Sequence, residues 1–318
     1  MSENDISYGG QAVISGVLIQ SPKGWSVAVR NQNNEIVKFF KERTPLVRRP
    51  GIFKLPLMRG IGALIDSLYV GYQGLTMSDE IYYEDEPEPT LINKIFNYVF
   101  IVVFLSLLIA GPRLLIDLIE TDQTSKGLYE GLLRGVIVVL YIFLIGKTKD
   151  AQELFEFHGA EHMTIAAFEN NRDLNLDHIK TFPKEHIRCG TAFIFLIVFV
   201  SLLTLPFIPT LSIFMTLVTR ILHVFVVAML SYEILKLNFQ YSGSLFSRFF
   251  STPGIWMQKM TTKPPSDDQI EVARVAMANC IKHSENTDEL DTFLENTKEV
   301  THGLSLIHIS EPTRLLAI

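Results

Sequence analysis

Two histidines one helical turn apart, with an acid between them, have the residue types and spacing to hold a metal ion. In this chain they are His158 and His162, with Glu161 three positions after the first. On a helix all three point to one side, so two imidazoles can share one ion beside a carboxylate. The order H-x-x-E-H is that of the inverted zinc peptidases, in which the glutamate acts as general base. Two histidines make half a ligand set. Glu169, two turns beyond His162, His186 and Cys189, three positions apart, and Glu233 are the residues that could complete it. Neutral imidazole and thiolate suit zinc better than magnesium. Each residue also has a structural reading. His186 could anchor a helix end at lipid headgroups, Cys189 could be a small buried side chain, and Glu233 could pair with Lys236 or Arg220. The histidine pair itself could be a hydrogen-bonded strut.

The chain that must bring these positions together is strongly apolar. Of its 318 residues 48% are hydrophobic and 19% charged, against about 25% charged in an ordinary soluble domain. Mean hydropathy is +0.25. This composition excludes disorder and collagen, and two cysteines exclude a disulfide scaffold. A net charge of −6 argues against nucleic acid as a partner. The class is an integral membrane protein with substantial polar parts.

A spanning helix needs about 20 mostly apolar residues. Ile95–Pro112 is the clearest span. Leu128–Gly146 is a second, with Glu130 and Arg134 near enough to one end to snorkel. Cys189–Thr219 is uncharged, too long for one helix and broken by Pro206 and Pro209, so it divides into spans over 191–205 and 211–235. Arg220 and His223 fall in the last of these, where they could mark a solute path. Lys and Arg crowd the segments before the first span, between the second and third, and after the fourth, whereas the first outer loop carries Asp117, Glu120 and Asp122. That asymmetry puts both termini in the cytoplasm. Residues 1–40 lack the apolar stretch of a cleavable signal.

The fold class is therefore an α-helical integral membrane protein of about four transmembrane helices, with a small N-terminal cytosolic β-containing region and a C-terminal cytosolic helix. Residues 1–54 read as strand-rich, with Trp25–Arg30 and Ile36–Phe40 flanking a polar turn at 31–34. Residues 55–94 hold a helix over 55–76, lying on the membrane surface or on its neighbours, and an acidic proline-bearing linker. Spans one and two occupy 95–146, the loop with the histidines 147–190, spans three and four 191–235, and a cytosolic region 236–303. Within that last region Ser266-Asp-Asp-Gln269 has the form of a capping box opening a helix to about Ile281. Residues 304–318 begin with a string, Leu304 to Arg314, that reads as the translation of a sequencing adapter, so His308 enters no functional argument.

Five blocks in order, Tyr8-Gly-Gly-Gln-Ala-Val13, His158-Gly-Ala-Glu-His162, His186-Ile-Arg-Cys-Gly190, Ser231-Tyr-Glu-Ile-Leu235 and Pro253-Gly-Ile-Trp256 through Thr261-Thr262, resemble the bacterial YqhQ family. The resemblance implies a multi-span protein of the bacterial plasma membrane and a predicted metal-dependent enzyme. Two positions depart from it: Ser15 stands where the family usually has glutamate, and Met163 where it has lysine. If that glutamate were catalytic, this chain would lack it.

The expected function is a metal-dependent hydrolase working at the cytosolic membrane face, with Glu161 as base and a divalent ion, zinc by its ligands, at His158 and His162. The alternative is a non-catalytic scaffold, a partner in membrane-protein insertion or secretion, in which the His/Glu/Cys cluster is structural. The expected partners are the lipid bilayer and either another membrane protein or a second copy of the chain. A transporter ranks third, since no pair of broken helices recurs in matching halves.

Overall fold

The computed structural model describes residues 8–84, 90–119, 122–171, 173–186, 190–208, 212–241, 243–295 and 297–299. Cys189 and residues 300–318, with the adapter-like string, lie outside them.

Four strands form an antiparallel meander: β1 Gly9–Val13, β2 Gly16–Gln20, β3 Gly24–Arg30 and β4 Ile36–Glu42. A two-residue strand, β5 Lys298–Glu299, adds in parallel beside β4. The expected turn at 31–34 closes β3 onto β4: Asn31 N–H donates to the Glu35 carbonyl, and Asn34 takes the positive φ of 64° that asparagine tolerates. In β2 and β3 side chains are buried on both faces. Val17, Ile19 and Ala28 enter one apolar core, and Leu18, Val27 and Val29 another. A sheet covered on both sides needs such continuous apolar strands rather than simple alternation.

The covers are helices. α1, Met58–Tyr82, lays Val70 and Ile81 against Leu18, Trp25 and Val27. It is thus a neighbour-packed helix rather than one resting on lipid alone. On the other face lie α4, Lys149–Asn171, and α9, Asp267–Ile281. Ser266 and Gln269 form the expected capping box at the start of α9. Gln269 also donates to Glu156 at 2.9 Å, tying α9 to α4.

Among the described residues three helices are long and apolar enough to cross a membrane: α2 Leu91–Asp117, α3 Gln123–Ile145 and α7 Ile213–Gln240. α2 continues through Pro112, where the first span was expected to end. α6, Gly190–Thr204, is the expected third span but has 15 residues, about 22 Å of helix. A 3-10 turn at Leu205–Phe207 extends it.

Glu130 does not snorkel. It is fully buried on α3 and accepts from Arg220 on α7 at 2.9 and 2.7 Å, and from Arg134 at 2.8 Å. Arg113 on α2 stands 3.8 Å away. His223 is hydrogen-bonded to Thr204 at 2.7 Å, joining α7 to α6. Charges inside apolar helices persist when paired across a bundle, and these bind the helices to one another.

A further helix was not expected. α8, Leu245–Thr261, is capped by Ser244 and runs through Pro253. It packs its Gly254 against Ala192 of α6, where a Cβ would stand 2.9 Å from the alanine methyl.

Candidate metal centre

α4 starts where Thr148 accepts from Ala151 N–H and continues through a run of good helix formers. The face it turns inward carries His158, Glu161 and His162. Their potential ligand atoms all lie within 4.8 Å of one another. The two imidazole centroids are 4.4 Å apart, and His158 Nε2 is 4.0 Å from a Glu161 carboxylate oxygen. That separation is too long for a hydrogen bond and short enough for an ion to bridge.

Both rings are held from behind. His158 Nδ1 donates to the Thr261 carbonyl at 2.8 Å, and His162 Nδ1 to the Lys184 carbonyl at 2.6 Å. A carbonyl oxygen can only accept, so each ring carries its proton on Nδ1 and presents the Nε2 lone pair. This is the outer-shell arrangement that orients histidine ligands on metals. Burial pushes the His158 pKa down. It pushes that of His162 down to about 3, with His158 as a lesser cause, so both rings are neutral at physiological pH. Two neutral imidazoles with a carboxylate beside them fit a zinc-type ion.

Glu161 is only 3% exposed, and burial pushes its carboxyl up to about 8. Its neighbour is the backbone of β1. A Cβ on Gly10 would stand 2.7 Å from Glu161 Cγ and 2.7 Å from the Leu18 carbonyl. Gly159 plays a matching part on the other side of α4. A side chain there would meet the Lys263 carbonyl at 2.2 Å, so the segment after α8 can cross close enough to hold Thr261 at His158. Lys263 N–H bonds the Phe155 carbonyl at 2.9 Å and fixes that crossing.

His186 lies beside this trio, its ring centroid 6.0 Å from that of His162. Its main chain is clasped by the buried Gln258 amide, which accepts from His186 N–H and donates to its carbonyl, each at 2.8 Å. The His186 Nε2 is 3.7 Å from Glu169, forming a second His–carboxylate pair on the same side. The expected ligand Glu233 is elsewhere engaged. It is paired through both carboxylate oxygens with Arg59 of α1 and accepts from Leu57 N–H at 2.9 Å. An arginine fork meets a carboxylate better than a distant ion does; Lys236 adds a weaker attraction to Glu233, and Arg220 is engaged with Glu130 instead.

The family model described as "Protein of unknown function (DUF1385)" matches residues 55–283, which hold every candidate ligand. The chain belongs to the DUF1385 family. It is 28% identical over 285 residues to "Uncharacterized protein YqhQ" of Bacillus subtilis (strain 168), covering 84% of this chain and 90% of that one. The similarity agrees with the family resemblance carried by the five sequence blocks. No solved structure matches.

In this DUF1385 chain sequence reasoning did not assign Gly10, Lys184, Gln258 or Thr261 to the site. Gly10, Thr261 and Gln258 fall in or between motif residues quoted for the family resemblance. Thr261 and Lys184 act through backbone carbonyls, which leave no trace in residue type.

Proposed function

We propose that this is a multi-pass protein of the bacterial plasma membrane with a zinc-type centre at its cytosolic face, and that the centre catalyses hydrolysis. α2, α3, the short α6 and α7 are its spans. The Lys and Arg flanking them favour a cytosolic location for the termini, the sheet and α4. The observation that carries the metal reading is the pair of Nδ1–H···O=C bonds, which leave each ring its Nε2 lone pair in a cluster with one buried carboxylate.

His158 and His162 would hold the ion, with His186 and Glu169 the nearest further donors. A divalent ion there supplies Lewis acidity toward a carbonyl or phosphoryl oxygen. Glu161 would serve as the base: freed of its own proton as the ion binds, its buried carboxylate takes a proton from the attacking water. The test is metal content of the detergent-purified protein beside a His158→Ala/His162→Ala variant. About one zinc per chain, lost in the variant, is the expected result. A folded wild type that holds no metal sinks the reading.

A second reading is a structural site within a membrane scaffold that binds another protein. The burial of Glu161 and His162, at 3% and 2% exposed, favours it. Cobalt substitution separates the two. Absorption that shifts on adding azide indicates an open ligand position and an enzyme, whereas an unresponsive tetrahedral spectrum indicates a closed structural site.

A further inference from the structure

We propose that the groove between α3, α6 and α8 seats an acyl chain of an anionic membrane phospholipid and leads its headgroup to the His158–Glu161–His162 centre. The cavity is about 850 Å³, within the range of about 300–1,000 Å³ of small-ligand pockets. Its walls come from Gly135, Val139 and Phe143 on α3, Val198 on α6, and Met257 and Met260 on α8. Among all the lining side chains only Trp256 carries a polar atom. An extended peptide laid in such a groove would leave its N–H and C=O groups without partners, whereas a polymethylene chain has none to satisfy.

Two walls join the groove to the centre. On α8, Met257 and Met260 face the groove, while Gln258 and Thr261, on the adjacent face, hold His186 and His158. On the other side α3 ends at Gly146 against Phe155, less than one turn before His158 on α4; a Cβ there would be 3.0 Å from the Phe155 ring. The carbonyl of the same Phe155 accepts from Lys263 N–H in the segment leaving α8. At this end the exposed Lys147 lies with its ammonium 4.4 Å from the ring centroid of Phe143, which lines the groove, and Lys259 is exposed on α8 beside Met260. Their positive charge complements a phosphate head. The role of the headgroup rests on the hydrolytic reading above; the acyl seat needs no metal.

The full-length protein, stripped of lipid in detergent, is titrated with phosphatidylglycerol and with phosphatidylcholine of equal chain length. Bound lipid is counted by native mass spectrometry and metal is measured on the same samples. The proposal expects about one tightly held phosphatidylglycerol per chain. Val139→Trp, which fills the groove, weakens it roughly tenfold. Lys147→Glu, at the surface, weakens it about fivefold while phosphatidylcholine is unaffected. Wild-type affinity in Val139→Trp, or equal affinity for the two lipids, overturns the proposal. So does a dimer that Val139→Trp dissociates, which would assign the groove to a second copy. Metal absent with lipid held overturns the hydrolytic reading alone; lipid absent with metal held overturns the groove alone.

Discussion

Glu161 is a carboxyl that folding prefers protonated. Its pKa is about 8 in the metal-free fold against the ordinary 4.5. Between those values the folded chain holds a proton that the unfolded chain has released, so stability without metal is fullest below about 4.5 and falls as pH rises toward 8. Thermal unfolding of chelator-treated protein from pH 5 to pH 8 should show that decline, and Glu161→Gln should flatten it. Because both histidines are already neutral, a metal entering at pH 7 displaces about one proton, that of Glu161. Calorimetry in buffers of different ionisation enthalpy counts it, and Glu161→Gln should abolish it. Gly10→Ala should destabilise the fold by about 1–3 kcal/mol and lower metal occupancy, since the added methyl meets both the Glu161 side chain and a β2 carbonyl. The His158–Glu161–His162 trio was legible because its spacing is helical. Glu233 was misread because an ionisable residue near a span end fits an ion pair with Arg59 as well as a ligand set, and nothing local in sequence names the partner.

At the scale of elements, the helices that hold the site depend on polar side chains spent on backbone. Gln258→Leu removes both bonds to the His186 main chain from a buried position and should destabilise by about 1–3 kcal/mol, read as a lower midpoint of thermal unfolding, with the Lys184 segment the first to become protease-sensitive. Glu130→Gln leaves Arg220 without its carboxylate inside the bundle and should cost about 3–5 kcal/mol, measured the same way. The strands, the 31–34 turn and the α9 capping box were readable because each is fixed by residues within a few positions. The length of α2 beyond Pro112 and the presence of α8 were not. A proline inside a helix is tolerated where neighbouring helices hold both flanks, and those neighbours are distant in sequence.

For the whole molecule, the charge asymmetry across the spans makes a prediction about sidedness. With Cys189 and Cys280 replaced by serine, a cysteine at Asp122 should react with a membrane-impermeant maleimide in intact cells. One at Asn33 should react only after permeabilisation. Labelling of Asn33→Cys from outside would reverse the orientation. The three-layer arrangement of α1, sheet, and α4 with α9 was only half legible. The strands and a helix on one side of them were readable, yet the sheet's second cover is supplied by residues more than 100 positions away.

That separation sets a timetable for biosynthesis. β1 to β4 leave the ribosome well before α9, which shields one of their apolar faces and begins at Asp267. At about 5–20 residues per second, roughly 10–45 s pass between them, during which the long apolar helices are also made. The nascent sheet is therefore a natural client for a holding chaperone, and a chain stalled before α9 should be cleared by quality-control proteases.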